Sequence, residues 1–265
     1  MEWIGGYEVD SKELREAIRN GEFAGTTSGA AGHKVQSNLV ILPKAYAFDF
    51  LLYAMRNKKA VPVIEVMEDG QTESRFADGS DIRTDVPKYN IYEDGVLRDT
   101  TDDISGYWQD DFVTFLIGCS FTFEQAILDE GISIRHIDEG RNVAMYKTNI
   151  ATDPAGVFTG ELVVSMRPFD ESEVETVTRV TGQFPEMHGG PVHYGSPHEI
   201  GIRDIADPEY GEGVEIREGE TPVFWACGVT PQNAALNAKP SIMITHAPGH
   251  MFVTDLDNED YRKNN

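Results

Sequence analysis

Only two of the 265 residues are cysteine, Cys119 and Cys227. Two thiols cannot form a disulfide framework, and neither sits in a C-x-x-C zinc pair. Long apolar runs are also missing. No stretch approaches the ~20 residues of a membrane span. The acidic start, MEWIGGYEVD, lacks the basic residues and apolar segment of a secretion signal. A cytoplasmic location is the expectation. Positive charge is scarce: 22 Lys and Arg face 45 Asp and Glu, a formal net charge of −23. Such a field repels phosphate backbones and anionic lipid, which argues against nucleic-acid and membrane-surface partners. It fits either a salt-loving host or an ordinary acidic cytosolic protein. No internal repeat or low-complexity segment is evident.

A real core is affordable, with 40% hydrophobic and 10% aromatic residues. Residues 11–20 read as an amphipathic helix capped by Ser11, and 44–57 as an apolar helix. Strands are expected at 38–43, 60–67 and 110–118, with KYNIY leading into a turn at Asp94-Gly95. A helix follows at 121–131. Residues 133–137, 142–149 and 161–169 alternate like antiparallel strands, and 171–184 is a helix. TPVFWACG (221–228) is a strand, PQNAALNA (231–238) a helix, and 240–255 two strands around a Pro-Gly turn. This pattern predicts an α/β protein. Its main α/β domain, residues 1–130 and 201–265, has a mixed or mostly parallel sheet. A smaller α+β domain, residues 131–200, interrupts it. Strands near 38–42, 61–66, 113–118, 222–226 and 241–245 should share one sheet.

The sharpest local feature is GCSFTFE (118–124). A strand that turns into a helix leaves amides free to hold an anion and to lower a thiol pKa. Cys119 and Glu124 are therefore candidate catalytic residues. The alternative is a buried Cys at a tight turn with Ser120 capping the helix. Cys227, Thr230, His246 and His250 also fall at strand ends, where ligands collect in open sheets. Arg83, between Asp81 and Asp85, could fork a carboxylate or simply satisfy its own loop. Arg167 is a second candidate fork. HGGPVHYGSPH holds His188 and His193 in a loop whose spacing does not match a zinc motif. No metal and no cofactor are expected.

Several long strings occur together: GTTSG (25–29), VQSNLVILPK (35–44), DIRTDVPKY (81–89), FLIGCSFTFE (115–124), NVAMYKTN (142–149), VVSMRP (163–168), HGGPVHYG (188–195), FWACGVTPQ (224–232) and ITHAPGHM (244–251). In this order they resemble the bacterial hydro-lyase family related to D-glutamate cyclase. The resemblance covers about residues 11–255. It implies loss of water from a small acid, most specifically D-glutamate going to 5-oxo-D-proline, within an α/β main domain carrying a second α+β domain. Dehydration of another small hydroxy acid, or non-catalytic binding of 5-oxoproline or glutamate, are the alternatives. Cyclisation needs a base, a carboxylate fork and a proton donor. Cys119, Glu124, His246 and His250 are the candidates for catalysis. Arg83, Asp85, Asn38, Ser120, Arg167, His188, His193, Cys227 and Thr230 are the candidates for substrate binding. Cys119, Glu124, Arg83 and His246 should then line one pocket. The partner is a small-molecule carboxylate, with homo-oligomer formation left open.

Overall fold

The computed structural model describes residues 9–263. In chain order its elements are α1 (Ser11–Arg19), β1 (Lys34–Pro43), α2 (Lys44–Arg56), β2 (Val63–Met67), β3 (Tyr89–Glu93), β4 (Val96–Thr101), β5 (Phe112–Gly118), α3 (Phe121–Asp129) and α4 (Arg135–Asp138). There follow β6 (Ala144–Ala151), β7 (Glu161–Asp170), α5 (Val174–Gly182), β8 (His193–Tyr194), β9 (Glu220–Ala226), α6 (Thr230–Ala238), β10 (Met243–His246) and β11 (Phe252–Asp257).

β1 is the axis of the larger sheet, whose order is β2-β5-β1-β10-β3-β4. One edge of β1 pairs with β5 from Ser37↔Gly118 to Pro43↔Phe112. Its other edge pairs with β10 at Val40 and Ile41, then with β11 at Lys34 to Ser37. The second sheet runs β6-β7-β9-β8.

Every pairing among the described residues is antiparallel, so the expected mixed or mostly parallel sheet is corrected. The misreading has a physical cause. An unbroken apolar strand followed by a helix suggests a parallel sheet covered on both faces. Here antiparallel strands are covered on both faces. Val113, Phe115 and Ile117 of β5 enter the core shared with α2, β6, β7, β9 and α6. Phe112 and Leu116 enter a second core under the 77–104 excursion.

Three further expectations change. The strand at 220–226 does not join β1; it pairs with β7 in the second sheet. Its alternate residues divide between the common core (Phe224, Ala226) and the layer under α3 and α5 (Val223, Trp225). Residues 133–137 contribute to the short helix α4 rather than a strand. The cap of α1 is Asp10, whose carboxylate accepts from the amides of Lys12 and Glu13, while the Ser11 hydroxyl donates to Asp255. No helix among the described residues is long and apolar enough to cross a membrane.

Candidate active site

Two strand-to-helix turns meet at Asn38. β5 ends at Gly118 and passes through Cys119 and Ser120 into α3; β9 ends at Ala226 and passes through Cys227 and Gly228 into α6. Asn38 Nδ2 donates to the Gly118 carbonyl at 2.7 Å. A methyl group at Gly228 would stand 2.0 Å from that same nitrogen. Gly228 is therefore glycine because the Asn38 amide occupies the space of a side chain. Cys119, Phe121, Cys227, Val229 and Met251 share one apolar cluster, so the first turn faces the second.

The β10–β11 turn closes the same region. Gln232 Nε2 donates to the His246 carbonyl at 2.9 Å. Thr27 N–H donates to Gly249 O at 2.8 Å, and Asn142 Nδ2 to Pro248 O at 3.1 Å. Asn38, Cys119, Cys227 and the segment after His246 thus belong to one neighbourhood built from both sheets.

A buried charge cluster lies one turn into α3. Arg167 Nε donates to Glu124 Oε1 at 3.0 Å, and its Nη2 also bonds that oxygen. Nη2 donates to Ser120 Oγ and Nη1 to Ser165 Oγ, each at 3.1 Å. The guanidinium carbon lies 5.5 Å from the ring centres of both Phe123 and Trp225. His136 Nε2 is 3.2 Å from Glu124 Oε1, and Ser28 Oγ donates to Oε2 at 3.4 Å. Burial alone would push the Glu124 carboxyl up, but Arg167 and His136 outweigh it and hold it at about 2. Glu124 is thus a fixed carboxylate near neutral pH, which argues against the proton carrier expected from the sequence. Ser120 gives α3 no side-chain cap; its hydroxyl serves Arg167 instead.

The thiols behave contrary to a reactive-cysteine reading. Burial pushes the Cys119 thiol well above its ordinary value, against the amide of Phe121 that favours the thiolate. Burial likewise raises Cys227 to about 11, against the amide of Val229. Desolvation defeats the helix terminus at both turns.

The sequence profile of the D-glutamate cyclase family matches residues 113–255. The chain is 56% identical to "Putative hydro-lyase YcsI" of Bacillus subtilis (strain 168), over 94% of its own length and 97% of the relative's. It is 55% identical to "Putative hydro-lyase Teth514_1597" of Thermoanaerobacter sp. (strain X514), over 97% and 98%. The chain belongs to the D-glutamate cyclase family. A nitrogen repressor-like protein, MJ0159 from Methanococcus jannaschii, aligns over 92% of this chain and 97% of its own at 11% identity. The TM-score of 0.37 is too low to carry an argument. The segment matched to the D-glutamate cyclase family runs from β5 into β11 and includes both turns, Arg167 and the β10–β11 turn.

In this D-glutamate cyclase family member the other expected residues are placed as follows. Arg83 does not join Glu124. It folds back on Asp81, with bonds of 2.8 Å from Nε and 2.6 Å from Nη2. Asp85 is fully buried and receives Arg19 through Nε at 2.8 Å and Nη2 at 2.7 Å. Both satisfy the 81–89 loop. His246 Nδ1 accepts from the Leu39 amide at 3.1 Å, and burial lowers the ring to about 4. It is a neutral core histidine, not an exposed acid or base. His188, with φ of 73°, places Nδ1 2.8 Å from Lys59 O and is lowered by burial to about 4. His193 packs on Phe224 at 5.8 Å and bonds the Ser196 carbonyl. Thr230 Oγ1 ties the second turn, donating to Cys227 O at 2.7 Å and accepting from Val163 N–H at 3.1 Å. His250 is half-buried, with Nδ1 3.0 Å from Pro248 O; burial lowers its pKa.

Sequence reasoning missed His136 and Gln232. His136 was hidden in a segment read as a strand. No group of three His, Cys, Asp or Glu side chains suited to a metal is present among the described residues.

Proposed function

We propose that this chain is a hydro-lyase that cyclises D-glutamate to 5-oxo-D-proline and water in the region between the two turns. Membership of the D-glutamate cyclase family supports the reaction. The observation that carries the site is the meeting of both turns at Asn38, beside the β10–β11 turn. In the reaction a C–N bond forms between the amine and the γ-carboxyl carbon, and one C–O bond breaks. The ammonium gives up two protons and the carboxylate one oxygen, which leave together as water. No oxidation state changes, so the chemistry calls for no redox cofactor.

His250 is the best-suited base. Its lowered pKa keeps it neutral near pH 7. With Nδ1–H donated to the Pro248 carbonyl, Nε2 is left to accept a proton. The Ser120 amide, just before α3, can stabilise charge on the carboxyl oxygen. Lys88, exposed beside His250, offers a cation to the second carboxylate. Glu124 and Arg167 hold the first turn rather than the substrate.

Mass spectrometry of the purified protein with D-glutamate, L-glutamate, 5-oxoproline and small hydroxy acids tests the reading. D-glutamate should lose one water, and His250→Gln should lower turnover by about 10²-fold or more. Cys119→Ser should cost under about tenfold, because a thiol with a raised pKa is a poor nucleophile near pH 7. Turnover of a hydroxy acid alone would replace the substrate; binding without turnover would make the chain a carrier.

A further inference from the structure

The two turns share a sequence. Cys119-Ser-Phe-Thr-Phe-Glu-Gln-Ala126 and Cys227-Gly-Val-Thr-Pro-Gln-Asn-Ala234 agree at Cys, Thr and Ala. They pair Glu124 with its isostere Gln232, and Gln125 with the shorter amide Asn233. Their geometry agrees as well. Thr122 N–H donates to Cys119 O at 3.1 Å, and Thr230 N–H to Cys227 O at 3.0 Å. Each sulfur receives the amide two residues on, from Phe121 and from Val229. The two turns are therefore alike over eight residues in sequence spacing and in backbone bonding.

The residue at the sixth position of each turn crosses to the other sheet. α3 follows β5 of the larger sheet, yet Glu124 grips Arg167 on β7 of the smaller one. α6 follows β9 of the smaller sheet, yet Gln232 grips the His246 carbonyl on β10 of the larger one. Gln232 is 1% exposed, and its Oε1 has no hydrogen-bond partner among the described residues. Asn38 touches both turns.

We infer that Gln232 is a positioning residue, fixing the Cys227 turn as Glu124 fixes the Cys119 turn, so that the two like turns clamp the site reciprocally. This deepens the reading above, since it takes the region between the turns as the reaction site. Gln232 acts through the backbone of β10 and through its own turn. It touches no reacting atom.

Residue-resolved hydrogen exchange on the full chain tests the clamp without any substrate. Gln232→Glu keeps the shape and removes the N–H donor. It should lower protection at Thr230 and Asn233 by about tenfold, the weight of one hydrogen bond, and leave Thr122 and Phe123 unchanged. Glu124→Gln should do the reverse. With D-glutamate, Gln232→Glu should reduce kcat by about 10²-fold while KM stays within about threefold, because misplaced groups slow the reaction without removing a binding contact. Equal loss at both turns, or loss at neither, would overturn the clamp. A raised KM with unchanged kcat would make Gln232 a substrate contact instead. If no acid in the panel turns over, the functional reading fails, and the exchange data still decide the clamp.

Discussion

Two arginine–carboxylate pairs in this chain look alike and do different work. Arg83 and Asp81 are two residues apart, and their side chains are 33% and 27% exposed. Arg167 and Glu124 are 43 residues apart and exposed by 0% and 4%. The first pair closes a loop on itself. The second joins α3 to β7 and so ties one site turn to the opposite sheet. Pairing alone says little about function; what matters is how much chain a pair spans and how much water it has lost. An exposed pair is worth about 0–1 kcal/mol, whereas removing one member of a buried pair costs about 3–5 kcal/mol.

The largest expected effect follows directly. Arg167→Met leaves the Glu124 carboxylate buried without its main cation and should destabilise by about 3–5 kcal/mol in denaturant unfolding. The double change Glu124→Leu with Arg167→Met should recover much of that loss. A single-variant cost below about 1 kcal/mol would erase the contrast between the two pairs.

That contrast also marks what the sequence could convey. The Arg83–Asp81 pair is local, so its loop-satisfying alternative was legible. Helices at 11–19, 44–56 and 121–129 were legible because apolar spacing is local too, although the caps read at Ser11 and Ser120 were not the ones formed. The turn at Asp94-Gly95 was legible, and both residues do take positive φ. Strand direction was not, because an apolar run reports burial and not the identity of its neighbour. β9 was assigned to the wrong sheet for that reason. Arg167 was visible as a candidate fork, but nothing local told that Glu124 would consume it. The Cys–Thr–Glu/Gln–Ala spacing common to both turns lay in the sequence throughout. It shows only when the two turns are compared position by position.

Acid should test the buried groups next. His188 and His246 have folded-state values near 4, below the unfolded value of about 6.5. As pH falls from about 6.5 to 4 the unfolded chain gains protons the folded chain refuses. Stability is complete above about 6.5 and declines through that window, by up to about 1.4 kcal/mol per pH unit for each ring. Glu124 adds a lower window: its depressed value gives stability that is present above about 4.3 and lost as pH falls toward about 2. His246→Asn should flatten the upper window by roughly one proton in urea unfolding measured against pH. An unchanged slope would mean that the His246 ring takes its proton without cost to the fold.

The smallest effect belongs to the exposed pair. Arg83→Ala should cost under about 1 kcal/mol and leave turnover within about threefold, since its partner Asp81 can be hydrated once released. The variant also adds one unit of negative charge to a chain already at −23. Its deficit should therefore include self-repulsion, which salt removes. At 1 M salt the screening length is about 3 Å, close to the span of a single contact. Wild type and variant should both gain stability between 0.05 and ~1 M salt, with the gap between them narrowing. For Arg167→Met the gap should hold, because ions do not reach a buried guanidinium site. A gap at Arg83 that persists in high salt, or a loss of turnover as large as that at Arg167, would make Arg83 part of the site and dissolve the distinction between the two pairs.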